Sequence, residues 1–234
     1  MTKKYFAIPL AFAAGAILVG GIAVAGGSKA NNNATLVAEL NKGNQRFVSG
    51  SNTFPRTGAA RRGETAKGQT PFATVLTCAD SRVSPEFIFD QGIGDLFVVR
   101  VAGNVSDTDE IGTIEYGVHH LKTPVLIVLG HTNCGAVKAV IEGAEVSQNI
   151  KFLVDNIVPA VEKAKKHWDG HDHKALLSTA VDENVTQSIQ DILKRSSEVR
   201  EAVAEGHLTV LGAVYDIETG KVKWLGQNPT KTDH

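Results

Sequence analysis

The sequence predicts an α/β fold: a mostly parallel central sheet flanked by helices, with an antiparallel edge hairpin and an N-terminal helical arm. Three observations predict it. Short runs that are apolar throughout, such as "FATVLTC" and "PVLIVLGH", read as strands buried on both faces. Segments with helical spacing alternate with them, as a covered parallel sheet requires. The last run, "LTVLGAVYDIETGKVKWLG", breaks at Thr219-Gly220 into two strands joined by a turn.

Each element follows in order. After Ala30, "NNNATLVAELNKGNQRFVSG" reads as a polar cap and an amphipathic helix on Leu36, Leu40 and Phe47, ended by Gly50. Residues 51–71, rich in Gly, Arg and Thr, read as an extended arm or loop. Residues 72–78 form the first strand. "SPEFIFDQG" starts like a helix, with Ser84 as N-cap and Pro85 in its first turn. Residues 95–103 form a second strand. The stretch 107–122 is a helix with acids first and Lys122 last, matching the helix dipole. Residues 124–131 are the third strand, and "NCGAVKAVIEG" opens another helix. Two long amphipathic helices fill 147–168 and 174–196, before the hairpin at 208–226.

The chain of 234 residues therefore divides into residues 1–25, an arm over 26–71, and one α/β domain over 72–228. In the first part, Lys3 and Lys4 precede about 23 uncharged residues, and Ala23-Val24-Ala25 and Ser28-Lys29-Ala30 offer small-residue cleavage sites. That pattern predicts a signal peptide and an exported, periplasmic protein. The alternative is an anchor retained in the membrane through residues 5–27, since the run is just long enough to span. A net charge of −1 gives no electrostatic reason to bind nucleic acid.

The chain has only two cysteines, and their surroundings carry the chemistry. Cys78 lies in "LTCADSRV", with Asp80 and Arg82 close behind, and Cys134 lies in "GHTNCGAV", three residues after His131. An exported protein could pair the two as a disulfide. The position of the histidine argues for more. Cys78 ends one strand and His131 another, and ligands collect beyond the carboxyl ends of parallel strands. Cys78, His131, Cys134 and Asp80 are all zinc-ligand types. Four protein ligands would close the site, but the planar fork of Arg82 can hold the Asp80 carboxylate and keep it off the metal. A Cys2His site with one open position remains. Water there ionises near neutral pH and becomes a nucleophile, with Asp80 orienting it.

"CADSRV" followed some fifty residues later by "GHTNCGAV" resembles the β-class carbonic anhydrases, and the likeness continues through "DLFVVRVAGN" and "IEYGVHHLK" over most of residues 34–226. The resemblance implies one zinc ion per subunit on Cys78, His131 and Cys134, with Asp80 and Arg82 as catalytic dyad. It implies reversible hydration of CO2 to bicarbonate and a proton by attack of zinc-bound hydroxide. It implies substrate contacts from Gln69, Phe97, Tyr116 and Gly135. Val75 stands where the bicarbonate-sensitive subtype has Trp, so the open, plant-like form is expected, with Asp80 a metal ligand only in a closed state. The family's site lies at a dimer interface wrapped by the N-terminal helix, which implies a homodimer or a dimer of dimers. Two other readings stay open: an enzyme acting on CS2 or COS, and a noncatalytic zinc-stabilised binding protein. The histidines of "HWDGHDHK" are read as a solvated loop, and "DQGIGD" says nothing about nucleotides.

Overall fold

The computed structural model describes residues 26–227; the leader or anchor expected over 1–25 lies outside them. No helix among the described residues is long and apolar enough to cross a membrane. Five strands, β1 (Ala73–Thr77), β2 (Leu96–Arg100), β3 (Val125–His131), β4 (Thr209–Tyr215) and β5 (Val222–Gln227), form one sheet in the order β2-β1-β3-β4-β5. The first four run parallel, and β5 returns antiparallel to β4. This is the expected α/β architecture with its edge hairpin.

Strand period explains the layering. On β3, Leu126 and Val128 enter one core with Leu76, Val99, Val210 and Val214. Their neighbours Val125, Ile127 and Leu129 enter the other core with Val75, Leu211 and Ala213. Every residue of β1 and β3 is buried, which is why these runs carry no polar alternation. The first core is closed by helices α4 (Thr108–Glu115), α5 (Gly135–Glu142), α7 (Val158–Lys165), α8 (His173–Arg195) and α9 (Ser197–Ala204). The second is closed by α1 (Gly26–Val48), through Leu36, Leu40 and Phe47, and by the short α3 (Pro85–Ile88).

The helix α1 docks on its own chain. Asn44 donates to the carbonyls of Ile88 and Gly220 and accepts from the amide of Val222, so one buried side chain ties α1 to α3 and the hairpin. Behind it, the segment expected to be extended over 51–71 contains a helix, α2 (Ala59–Thr65), with no buried residue. Two buried acids hold this arm. Asp90 accepts from Arg46 Nε at 2.6 Å, from the amides of Thr53 and Phe54, and from the Thr53 hydroxyl. Asp95 takes Arg56 through both oxygens, and Arg61 as well.

Three further elements depart from expectation. The helix read over 147–168 is broken into α6 (Gln148–Asp155) and α7. Pro159 has no amide proton and its ring collides with the carbonyl four residues back, so the helix restarts. The helix read over 107–122 begins with a reciprocal cap between Asp107 and Glu110, but its last turn, Tyr116–His120, widens to a π-turn. The helix α9 was not anticipated; Ser196 caps it by accepting from the amide of Val199 at 3.1 Å.

Candidate metal centre

Parallel pairing places the centre. Thr77 at the end of β1 lies opposite Leu129 in β3, so Cys78 leaves β1 just where β3 runs on to His131. His131 in turn pairs with Tyr215, and a tight turn leads to Cys134, the residue that caps α5. Asn133 adopts φ 57°, a left-handed conformation that Asn tolerates, and this turns the chain back toward the histidine.

Cys78, His131 and Cys134 are all buried, and their ligand atoms lie within 4.8 Å of one another. Neither cysteine is in a disulfide. The donor set fits a zinc ion on three counts. His131 Nδ1 lies 2.9 Å from the Thr132 carbonyl, which only accepts, so this nitrogen carries the proton and Nε2 keeps its lone pair. That Nε2 is buried without a hydrogen-bond partner, an arrangement that is costly unless something electrophilic sits there. The two sulfurs act on each other. The neighbouring Cys134 sulfur holds the Cys78 thiol well below its ordinary value, aided by His131 and the amides of Asp80 and Gly103 against burial. The neighbouring Cys78 sulfur, with burial, pushes the Cys134 thiol up, although the amides of Val137 and Ala136 at the start of α5 favour its thiolate. A divalent cation relieves this conflict by taking both sulfurs as thiolates.

Asp80 borders the cluster. Its Oδ2 lies 3.8 Å from His131 Nε2. Arg82 holds it from the other side: Nε is 2.9 Å from Oδ1, Nη2 is 2.7 Å from Oδ2, and the Arg82 amide reaches Oδ1 at 3.0 Å. These bonds, the guanidinium first, keep the Asp80 carboxyl far below the usual carboxylate range against the opposing effect of burial.

The remaining expected residues are placed unequally. Phe97 is half-buried, and its ring lies 5.8 Å from that of Tyr116, which is 46% exposed and tilts against His120. Gly135 is exposed at the first position of α5. Gln69 is exposed in the loop after α2 and makes no hydrogen bond among the described residues. A cavity of about 730 Å³ lies elsewhere, at the start of β3 and β4, lined by His119, Lys122, Glu198, Glu201, Glu205 and His207 among others. It contains none of the expected site residues.

Two contributors stand outside the expected set of site residues. Arg100, at the end of β2, donates to the carbonyls of Cys78 at 3.3 Å and Asp80 at 2.7 Å. Gly103 donates its amide to Cys78 Sγ at 3.2 Å. Both lie in "VVRVAGN", which ends a strand on the same rim and runs on past it, and that position was the available signal.

Fold and cluster together define a class: a mostly parallel-sheet protein with a Cys2His cluster, able to hold a metal, where two adjacent strands end. Comparison with known proteins agrees. The family model described as carbonic anhydrase matches residues 73–222. Carbonic anhydrase 2 of Mycobacterium tuberculosis is 37% identical over 186 residues, covering 78% of this chain and 87% of its own. The carbonic anhydrase of Mycolicibacterium smegmatis is 38% identical over 192 residues, covering 79% and 89%. Among solved structures, a tetrameric β-carbonic anhydrase from the ascomycete Sordaria macrospora matches with TM-score 0.66 and 26% identity, over 85% of this chain and 95% of that one. The Coccomyxa β-carbonic anhydrase in complex with acetazolamide matches at 0.63 and 28%, over 83% of each. The chain belongs to the carbonic anhydrase family, in its β class, and is an enzyme of that kind.

Proposed function

We propose that the protein interconverts carbon dioxide and bicarbonate at a zinc ion held by Cys78, His131 and Cys134. The observation that carries the mechanism is the Asp80 carboxylate, beside the cluster yet gripped through both oxygens by Arg82. Bound at the three donors, zinc supplies the Lewis acidity that brings the ionisation of water near neutral pH. Asp80, ionised and therefore only an acceptor, takes the remaining proton of the attacking oxygen as a hydrogen bond and turns its lone pair toward CO2. Arg82 keeps that carboxylate from filling the open position, which favours the open form with Val75 in place of a Trp.

The rings of Phe97 and Tyr116 offer an apolar wall for an uncharged linear substrate, and the Gln69 amide and the turn at Gly135 offer polar contacts for its oxygens. The exposure of Gln69 and Tyr116 supports a site completed by a second subunit, as a homodimer or dimer of dimers; the Sordaria relatives are tetrameric. Export to the periplasm belongs to the same proposal. It is supported by the basic and then uncharged N-terminal sequence, and N-terminal sequencing of mature protein from a periplasmic fraction tests it.

The decisive experiment measures CO2 hydration and zinc content for the wild type and Asp80→Asn. The reading requires zinc in both and a kcat lower by about 10²–10⁴-fold in the variant, the usual worth of a positioned acid–base group. An Asp80→Asn enzyme with wild-type turnover would reject the role of the dyad. Wild-type protein loaded with zinc but inert toward CO2 would favour CS2, COS or a binding role instead.

A further inference from the structure

The helix α8 covers one face of the sheet with Leu176, Ala180, Val181, Val185, Ile189 and Ile192, all buried in the same apolar core. Two polar residues interrupt this face, Asn184 at 1% exposure and Ser188 at 3%. Four residues apart, they lie one turn above the other. A helix that only needed to cover the sheet would place apolar residues at both positions, because a buried amide or hydroxyl is tolerated only with its partners in place.

Their partners lie in one turn and just beyond it. Asn184 Nδ2 donates to the Gly103 carbonyl at 2.7 Å. Ser188 Oγ lies 2.9 Å from the Asn104 carbonyl and 3.0 Å from that of Asn184 in its own helix, sharing one proton between them, and the Ser106 hydroxyl donates to the Ser188 carbonyl at 3.1 Å. The turn is Ala102–Asn104, which directly follows β2. Gly103 sits there at φ 70°, and a Cβ on it would press on Ile157 Cδ1 at 2.6 Å and Ala136 Cβ at 3.2 Å. The residue is thus wedged between α5 and the start of α7, in a conformation that glycine adopts freely. Its amide is the group that donates to Cys78 Sγ.

A continuous path therefore runs from the helix amide to the ligand sulfur: Asn184 fixes the carbonyl side of Gly103, and the amide side of Gly103 points at Cys78. We infer that Asn184 is a positioning residue for the metal ligand Cys78. It acts through the Gly103 backbone, whose carbonyl and N–H lie on two successive peptide planes joined at one Cα, and holds the N–H that donates to Cys78 Sγ. Hydrogen bonds to metal ligands from the surrounding residues commonly change metal affinity by about 10–100-fold. The inference rests on the Cys78–His131–Cys134 metal reading and on nothing about CO2.

The test uses full-length protein. Asn184→Leu keeps the bulk and removes the donor; Asn184→Ala carries the same measurements should the leucine variant fail to fold. Ser188→Ala is the comparison, since it loosens the same turn without touching Gly103. Zinc affinity is read by competition with a chromophoric chelator, and the thiolate by the sulfur-to-cobalt charge-transfer band of the Co2+-substituted proteins. The Asn184 variants are expected to lose about 10–100-fold in zinc affinity and to shift the band to lower energy, as a thiolate deprived of a donor becomes easier to oxidise. Ser188→Ala is expected to do neither. Folded Asn184 variants with wild-type affinity and band position would overturn the inference, as would equal shifts in Ser188→Ala. Protein that takes up zinc but does not hydrate CO2 would sink the functional proposal and leave this comparison standing.

Discussion

Arg82 holds Asp80 through both carboxylate oxygens, at 2.9 and 2.7 Å, while Oδ2 of that carboxylate stays 3.8 Å from the lone-pair nitrogen of His131. The acid is thus within reach of the metal position but committed to the arginine. A lysine cannot reproduce the two parallel bonds, since its ammonium is a point donor on a flexible stem. Arg82→Lys is expected to keep its zinc and to lose about tenfold or more in kcat, read by stopped-flow CO2 hydration. Turnover within twofold of wild type would show that the fork geometry is dispensable.

Asp90 makes a prediction about acid stability. Burial opposes its ionisation, but Arg46, the amides of Thr53 and Phe54, and the Thr53 hydroxyl outweigh it and hold the carboxyl well below the usual range. A carboxyl depressed in the folded state stabilises the fold fully above its unfolded pKa of about 4, and that stability is lost as pH falls through the folded value. Asp90→Ala is expected to cost about 3 kcal/mol at pH 7, as broken buried pairs do. The gap from wild type in urea unfolding should narrow steadily below about pH 4. A gap independent of pH would mean that the ionised carboxylate is not what holds the arm.

Gly43 reports on how closely α1 docks. A Cβ there would overlap the main-chain carbonyl of Phe89, which cannot swing aside as a side chain would. Gly43→Ala is therefore expected to destabilise the protein by about 1–3 kcal/mol, although alanine is the better helix former. A rise in melting temperature would show that α1 does not lie this close in solution.

Removing the metal should expose the sulfurs to each other. With ligand atoms within 4.8 Å and no disulfide in place, chelator-treated protein left in air is expected to lose both free thiols to oxygen as a disulfide forms. Zinc-loaded protein should keep both. Thiol titration reads the difference, and two stable thiols in the stripped protein would count against the protective role of the ion.

The site was more legible in the sequence than the scaffold that holds it. Cys78, His131 and Cys134 could be brought together because each sits at or just past the end of a strand whose apolar run is plain. The mostly parallel sheet and its edge hairpin followed from the same runs, whereas the order of the strands did not. The arm was not legible: α2 buries no residue and so has no apolar period, and its anchors Asp90 and Asp95 lie 34 to 44 residues from their arginine partners. The break before α7 was written in Pro159, but the apolar period across it was the stronger pattern. Nothing in the sequence singled out Asn184 and Ser188, because their partners 81 and 84 residues away exist only once the chain has folded. Gln69 is exposed in its loop and makes no hydrogen bond among the described residues.

The most direct test of the account is the metal content of pure, folded protein by elemental analysis, set beside the same measurement for Cys134→Ser and His131→Ala. The account predicts about one zinc per chain in the wild type and its loss in both variants. Wild-type protein that folds, remains reduced and carries no zinc would contradict it.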